Sequence, residues 1–85
     1  FLVDPYTPEE AYWRAEFWEI FYEALEQLPE NQRIVFMQHE LEGLTLREIA
    51  TRSQTNLKTI ISRKGYAVRR LRENLQYLFD EFFEN

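Results

Sequence analysis

Apolar positions recur along this chain at three- and four-residue spacing, and nowhere do they alternate with a two-residue period long enough for a strand, so the pattern predicts an all-α domain. Trp13, Phe17, Ile20, Phe21, Ala24, Leu25 and Leu28 form the first stripe. Thr7-Pro8-Glu9-Glu10 opens it with a capping hydroxyl, a proline suited to the first turn, and two carboxylates at the positive end of the helix dipole. The predicted helix spans roughly 8–28, preceded by an extended lead-in over residues 1–7 in which Pro5 interrupts an apolar run. Pro29 stops that helix and opens a second, roughly 30–41, where Ile34, Val35, Met37 and Leu41 recur before Gly43 closes the pattern.

Thr45 stands three residues before Glu48, the form of a capping box, and predicts a short helix over 45–53 with Leu46, Ile49 and Ala50 turned inward. The polar run Ser53-Gln54-Thr55-Asn56 follows, and Asn56 is a suitable cap for a last helix over 57–83. Leu57, Ile60, Ala67, Val68, Leu71, Leu75, Leu78 and Phe82 share one stripe of it, with Lys58, Ser62, Tyr66 and Arg69 opposite. Residues 8–85 thus read as one four-helix domain with a long C-terminal helix.

Composition narrows the chemistry. A chain of 85 residues with only two glycines and three prolines suits a compact helical domain, and its size allows a single core of modest stability. The absence of cysteine excludes disulfides and thiolate metal sites and is compatible with the cytoplasm, where the protein is expected to reside. No apolar run approaches the roughly 20 residues of a membrane span, so no membrane partner is expected. His39, the single histidine, has no second imidazole with which to share a metal, and neither a metal nor a cofactor is implied. No nucleophile, base and orienting group recur at a usable spacing, so an enzyme is not expected. Because the chain begins at Phe1 and not at Met, it reads as a piece of a longer protein.

The net charge of −5 would argue against a polyanionic partner, but the charge is segregated. Residues 47–72 hold Arg47, Arg52, Lys58, Arg63, Lys64, Arg69, Arg70 and Arg72 against Glu48 alone, while the rest has Arg14 and Arg33 against fourteen acids. A basic stretch of that density can neutralise phosphates and release counterions. Two short helical segments joined by a tight polar turn, the second carrying positive charge and small hydrogen-bonding side chains at its start, form the helix-turn-helix arrangement. A helix fits the major groove, where Lys58, Thr59, Ser62 and Arg63 would meet base edges while Arg47, Arg52, Arg69, Arg70 and Arg72 contact the backbone.

Several short motifs carry a family resemblance: Ala24-Leu25 through Leu28-Pro29-Glu30-Asn31-Gln32-Arg33-Ile34-Val35-Phe36, then Glu42-Gly43-Leu44-Thr45-Leu46-Arg47-Glu48-Ile49-Ala50, then Thr59-Ile60-Ile61-Ser62-Arg63, Ala67 and Leu71-Arg72. Over about residues 20–75 this series resembles region 4 of sigma-70-type RNA polymerase sigma factors, especially the extracytoplasmic-function group. The resemblance implies a promoter-binding domain that meets the minus-35 element of double-stranded DNA through its last helix. It further implies docking on the β flap of core RNA polymerase through the earlier helices, and an anti-sigma factor as a second protein partner. Carried over by position, Lys58, Thr59, Ser62 and Arg63 would read or border bases, with Tyr66 on the same face, and Arg33, Arg47, Arg69 and Arg70 would contact the backbone. The chain departs from the family in its turn, where Ser53, Gln54 and Thr55 replace an apolar residue, a glycine and another apolar residue. It departs again at Ile61 and Tyr66, where basic residues are common, and Gly65 lies inside the last helix.

Outside the resemblance the two ends are strongly aromatic, with Tyr12, Trp13, Phe17, Trp18, Phe21 and Tyr22 near one and Tyr77, Phe79, Phe82 and Phe83 near the other. Either the last helix packs back on the first and buries these rings, or they form a partner-binding surface interleaved with Glu16, Glu19, Asp80 and Glu81. Two other functions fit the same residues: a response-regulator-type helix-turn-helix domain, and a sigma-like domain that acts mainly as a protein-interaction module.

Overall fold

The structure, a computed structural model, describes residues 5–84. Phe1 to Asp4, most of the expected lead-in, lie outside the described residues. The order is α1 (Pro8–Glu26), α2 (Glu30–Phe36) running directly into a π-helical turn (Met37–Leu41), α3 (Leu46–Ser53) and α4 (Leu57–Glu84), so the domain is all-α, with a helix-turn-helix formed by α3 and α4.

Helices α1, α3 and α4 each start on a local side-chain hydrogen bond, whereas α2 opens on Pro29 without one. The Thr7 hydroxyl accepts from the Glu10 N–H at 3.1 Å, and the Asn56 carboxamide oxygen accepts from the Lys58 N–H at 2.7 Å. At α3 the capping box closes in both directions: Thr45 Oγ1 accepts from the Glu48 N–H, and the Thr45 N–H donates to the Glu48 carboxylate, each at 3.0 Å. Helix α1 stops at Glu26, two residues short of the expected end. Arg33 accounts for part of the difference, since its Nη1 donates to the carbonyls of Glu26 and Leu28 and so satisfies the frayed last turn.

Spacing alone did not reveal the π-helical turn that ends the second helix. One extra residue per turn there rotates His39 toward the following loop, and its Nδ1–H donates to the Leu44 carbonyl at 2.8 Å. Since a carbonyl can only accept, this nitrogen carries the proton. Glu40 on the same turn pairs with Lys64 of α4 at 2.7 Å. Gly43 completes the exit with φ +77, a conformation a side chain would strain.

Two buried clusters hold the helices. Val35, Ile49, Ala50 and Ile60 join α2, α3 and the start of α4, with Leu44, Leu46 and Leu57 packed around them. Ile20, Ala24, Leu25, Leu28, Phe36, Ala67, Leu71 and Leu78 join α1 to the rest of α4. The two long helices run antiparallel: Trp13 meets Phe82 and Phe83, Phe17 meets Phe79, and Asn74 Nδ2 donates to the Ala24 carbonyl at 3.1 Å. The result is a slab with principal extents of 45 × 35 × 14 Å, scarcely more than one helix thick.

Candidate nucleic-acid interface

The turn between α3 and α4 is tight because Gln54 adopts a left-handed conformation, φ 53 and ψ 40, at the end of α3. This is the place where the family has glycine. Gln54 therefore supplies the geometry at the cost of crowding its Cβ. Hydrogen bonds over-determine the bend: Ser53 Oγ donates to the Ile49 carbonyl at 2.7 Å, Thr55 Oγ1 donates to the Ser53 carbonyl at 3.1 Å, and the Thr55 N–H donates to the Ala50 carbonyl at 2.9 Å. The polar substitutions thus rebuild a turn that glycine would otherwise supply.

Ile60, Ala67, Leu71 and Leu78 are buried along the inner line of α4, which turns its opposite side to solvent. Lys58, Thr59, Ser62, Gly65, Tyr66 and Arg69 are all exposed and recur at helical spacing along that side. No atom lies within 4 Å of where a Cβ on Gly65 would sit, so the middle of the stripe is bare backbone able to approach another surface closely. Ile61 is 51% exposed beside Lys58 and Ser62, and Tyr66 is 55% exposed. Ile61 could have been singled out from the sequence, because it lies off the stripe set by Leu57, Ile60 and Ala67.

The basic residues divide. Arg47 and Arg52 on α3, and Lys58, Arg69, Arg70 and Arg72 on α4, are exposed. Lys64 is turned inward, its side chain only 13% exposed, held by Glu40 and lying 5.7 Å from the centre of the Phe36 ring. Its hydrogen bond and charge keep the Glu40 carboxyl below the usual carboxylate range. Arg63 was expected at the groove-facing start of the helix. It is instead half-buried on the flank of α4, at the edge of an apolar slot of about 280 Å³ lined by Ile34, Val35, Ile49 and Ile60. Arg33, expected on a phosphate, spends one guanidinium nitrogen on the end of α1. The structure therefore brings Lys58, Thr59, Ser62, Tyr66 and Arg69 together on one side of α4, with Arg70 exposed beside Tyr66 and Arg69 and Arg47 exposed on α3, and sets Arg63 and Arg33 apart.

No group of histidine, aspartate and glutamate side chains among the described residues could hold a metal ion. Nor is any described helix long and apolar enough to cross a membrane. A search among curated proteins returned no match. The family model described as Sigma-70, region 4 matches residues 18–71, which contain α2, α3 and the first half of α4. That family is one of DNA-binding regulatory domains, not of enzymes. With more than half of its length matched and the helix-turn-helix in place, the chain belongs to the sigma-70 region 4 family, the promoter-recognising DNA-binding domains of sigma factors that serve transcription initiation.

Proposed function

We propose that this domain reads the minus-35 promoter element through the outward side of α4 while docking on the β flap of core RNA polymerase through α2 and its surroundings. The observation that carries the first half is the stripe of Lys58, Thr59, Ser62 and Arg69 on a helix whose start is set by the turn at Gln54 and the Asn56 cap. Side chains at the start of a helix in the major groove reach base edges, and flanking cations reach phosphates. Arg47, Arg52, Arg70 and Arg72 supply those cations in this reading. For the second half, the slot beside Ile34, which is 44% exposed, offers an apolar seat on the same helices. An anti-sigma factor is the further protein partner that this family brings with it.

The test uses the parent sigma factor assembled with core polymerase on a promoter library, comparing wild type with a Lys58→Ala, Arg69→Ala double variant at two salt concentrations. Salt-dependent selection of an upstream element by wild type, lost in the variant, is the expected result. Equal selection by both proteins, or by neither, would remove base reading from α4. The reading of the domain as a protein-interaction module would then stand first, favoured by the exposed rings of α1.

A further inference from the structure

The first helix carries a surface that DNA recognition does not use. Glu16, Glu19, Glu23 and Glu26 follow one another at helical spacing along a shallow groove of about 650 Å³, whose apolar wall is Trp18, Tyr22 and Phe82. Trp18 and Tyr22 lie with ring centroids 5.9 Å apart and remain 37% and 49% exposed. The four carboxylates make no ion pair with any described residue. Over the roughly 15 Å of helix they occupy, each neighbouring pair of like charges works against the helix that carries it. Folding accounts for Phe82, which packs on the α1–α4 core, but not for the exposed faces of Trp18 and Tyr22 or for the acidic rim beside them.

From this juxtaposition we infer that the groove on α1 binds a cationic amphipathic helix of another protein, with lysine or arginine on the carboxylates and aliphatic side chains on the rings. Charge complementarity selects this occupant. A nucleic acid or an anionic membrane would meet four carboxylates, and so would a second copy presenting the same face. Exposed rings favour a cationic partner twice over, since a cation is attracted to their faces as well as to the acids beside them. An amphipathic helix also matches the form of the site, a straight groove along one helix rather than a closed pocket.

Trp13 and Trp18 are the two tryptophans of the chain and both lie on α1, so intrinsic fluorescence reports on this face directly. The probe is a designed helical peptide with a leucine face and a lysine face, titrated into the domain at two salt concentrations alongside a leucine–glutamate peptide of equal length. The expected result is a saturable blue shift with the lysine peptide that weakens with salt, and none with the glutamate peptide. Glu16→Gln, Glu19→Gln and Glu23→Gln together should weaken binding about tenfold. A control triple variant, Glu9→Gln, Glu42→Gln and Glu73→Gln, changes the net charge equally and should leave binding within about twofold, which separates the groove from attraction to an acidic protein at large. Equal weakening by both triple variants, binding of both peptides, or a blue shift that follows protein concentration alone through self-association would each overturn the inference. Since no DNA or polymerase enters the assay, its outcome is independent of the promoter-reading test.

Discussion

At the residue scale, Gln54 shows most clearly how sequence and structure diverge. A family reading of the turn expects glycine, and the chain answers with a glutamine held at positive φ by the Ser53, Thr55 and Ala50 hydrogen bonds around it. A left-handed conformation costs a side-chain-bearing residue about 1–2 kcal/mol, and replacing it by glycine returns part of that to the entropy of the unfolded chain. Gln54→Gly should therefore stabilise the domain by about 0.5–1 kcal/mol, read as a melting temperature a few degrees higher with an unchanged denaturant m-value. A lower melting temperature would show that the glutamine side chain makes a contribution beyond its backbone angle. The need for a tight bend was legible in the polar run 53–56, as were the caps at Thr7, Thr45 and Asn56, because each depends on residues close in sequence. The inward turn of Lys64 was not legible, since Glu40 lies twenty-four positions away.

At the scale of the element, α4 combines two demands that oppose each other. Its outward stripe includes Gly65, which lowers helix stability by about 1 kcal/mol relative to alanine and contacts nothing. Gly65→Ala should raise stability by about that amount while weakening promoter binding, because in the proposed complex a methyl group would stand between the helix backbone and the groove. Urea denaturation of the variant, with a parallel promoter titration in the parent holoenzyme, tests both halves. A gain in stability with unchanged promoter binding would move the DNA contact off the centre of the stripe. The π-helical turn makes a second prediction. The Lys64 ammonium holds the Glu40 carboxyl in its charged form in the folded state, so the pair stabilises the domain above the range of a free glutamate, and the effect is lost as pH falls through the lowered folded value. The melting temperatures of wild type and Glu40→Gln should differ slightly at neutral pH and converge in acid. Helical periodicity foretold the existence of all four helices, whereas the widened turn depends on contacts of His39 and Glu40 with later segments and leaves no local signature.

At the scale of the whole molecule, segregated charge matters more than total charge. A net charge of −5 coexists with exposed cations concentrated on two helices, Arg47 and Arg52 on α3 and Lys58, Arg69, Arg70 and Arg72 on α4. Promoter affinity in the assembled polymerase should fall as salt rises, and Arg70→Ala, at one of the proposed phosphate contacts, should lower the slope of log affinity against log salt by about one without changing which sequence is preferred. An unchanged slope would place Arg70 away from phosphate. Of the two arrangements of the aromatic ends weighed from the sequence, the structure has the packing of the last helix on the first, and it leaves several of the rings exposed. The last helix does pack back on the first, through Trp13, Phe17, Phe79 and Phe82, yet Trp13, Phe17 and Trp18 remain more than a third exposed. A slab scarcely more than one helix thick has too little interior to enclose so many rings.

Helix α4 runs unbroken for 28 residues, about 42 Å, with Ser62 near one end and Phe82 near the other. Some 30 Å of rigid rod separate the two, so a protein seated against the tail and the base pairs met by the head do not touch. The helix works as a ruler. If α4 reads bases as proposed, a partner on its aromatic end would be held at a fixed distance, nearly nine base-pair steps in length, from them. In that reading the spacing between a tethered partner and the promoter would be written into the number of residues in one helix, and inserting or deleting a helical turn between Arg72 and Leu78 would reset it.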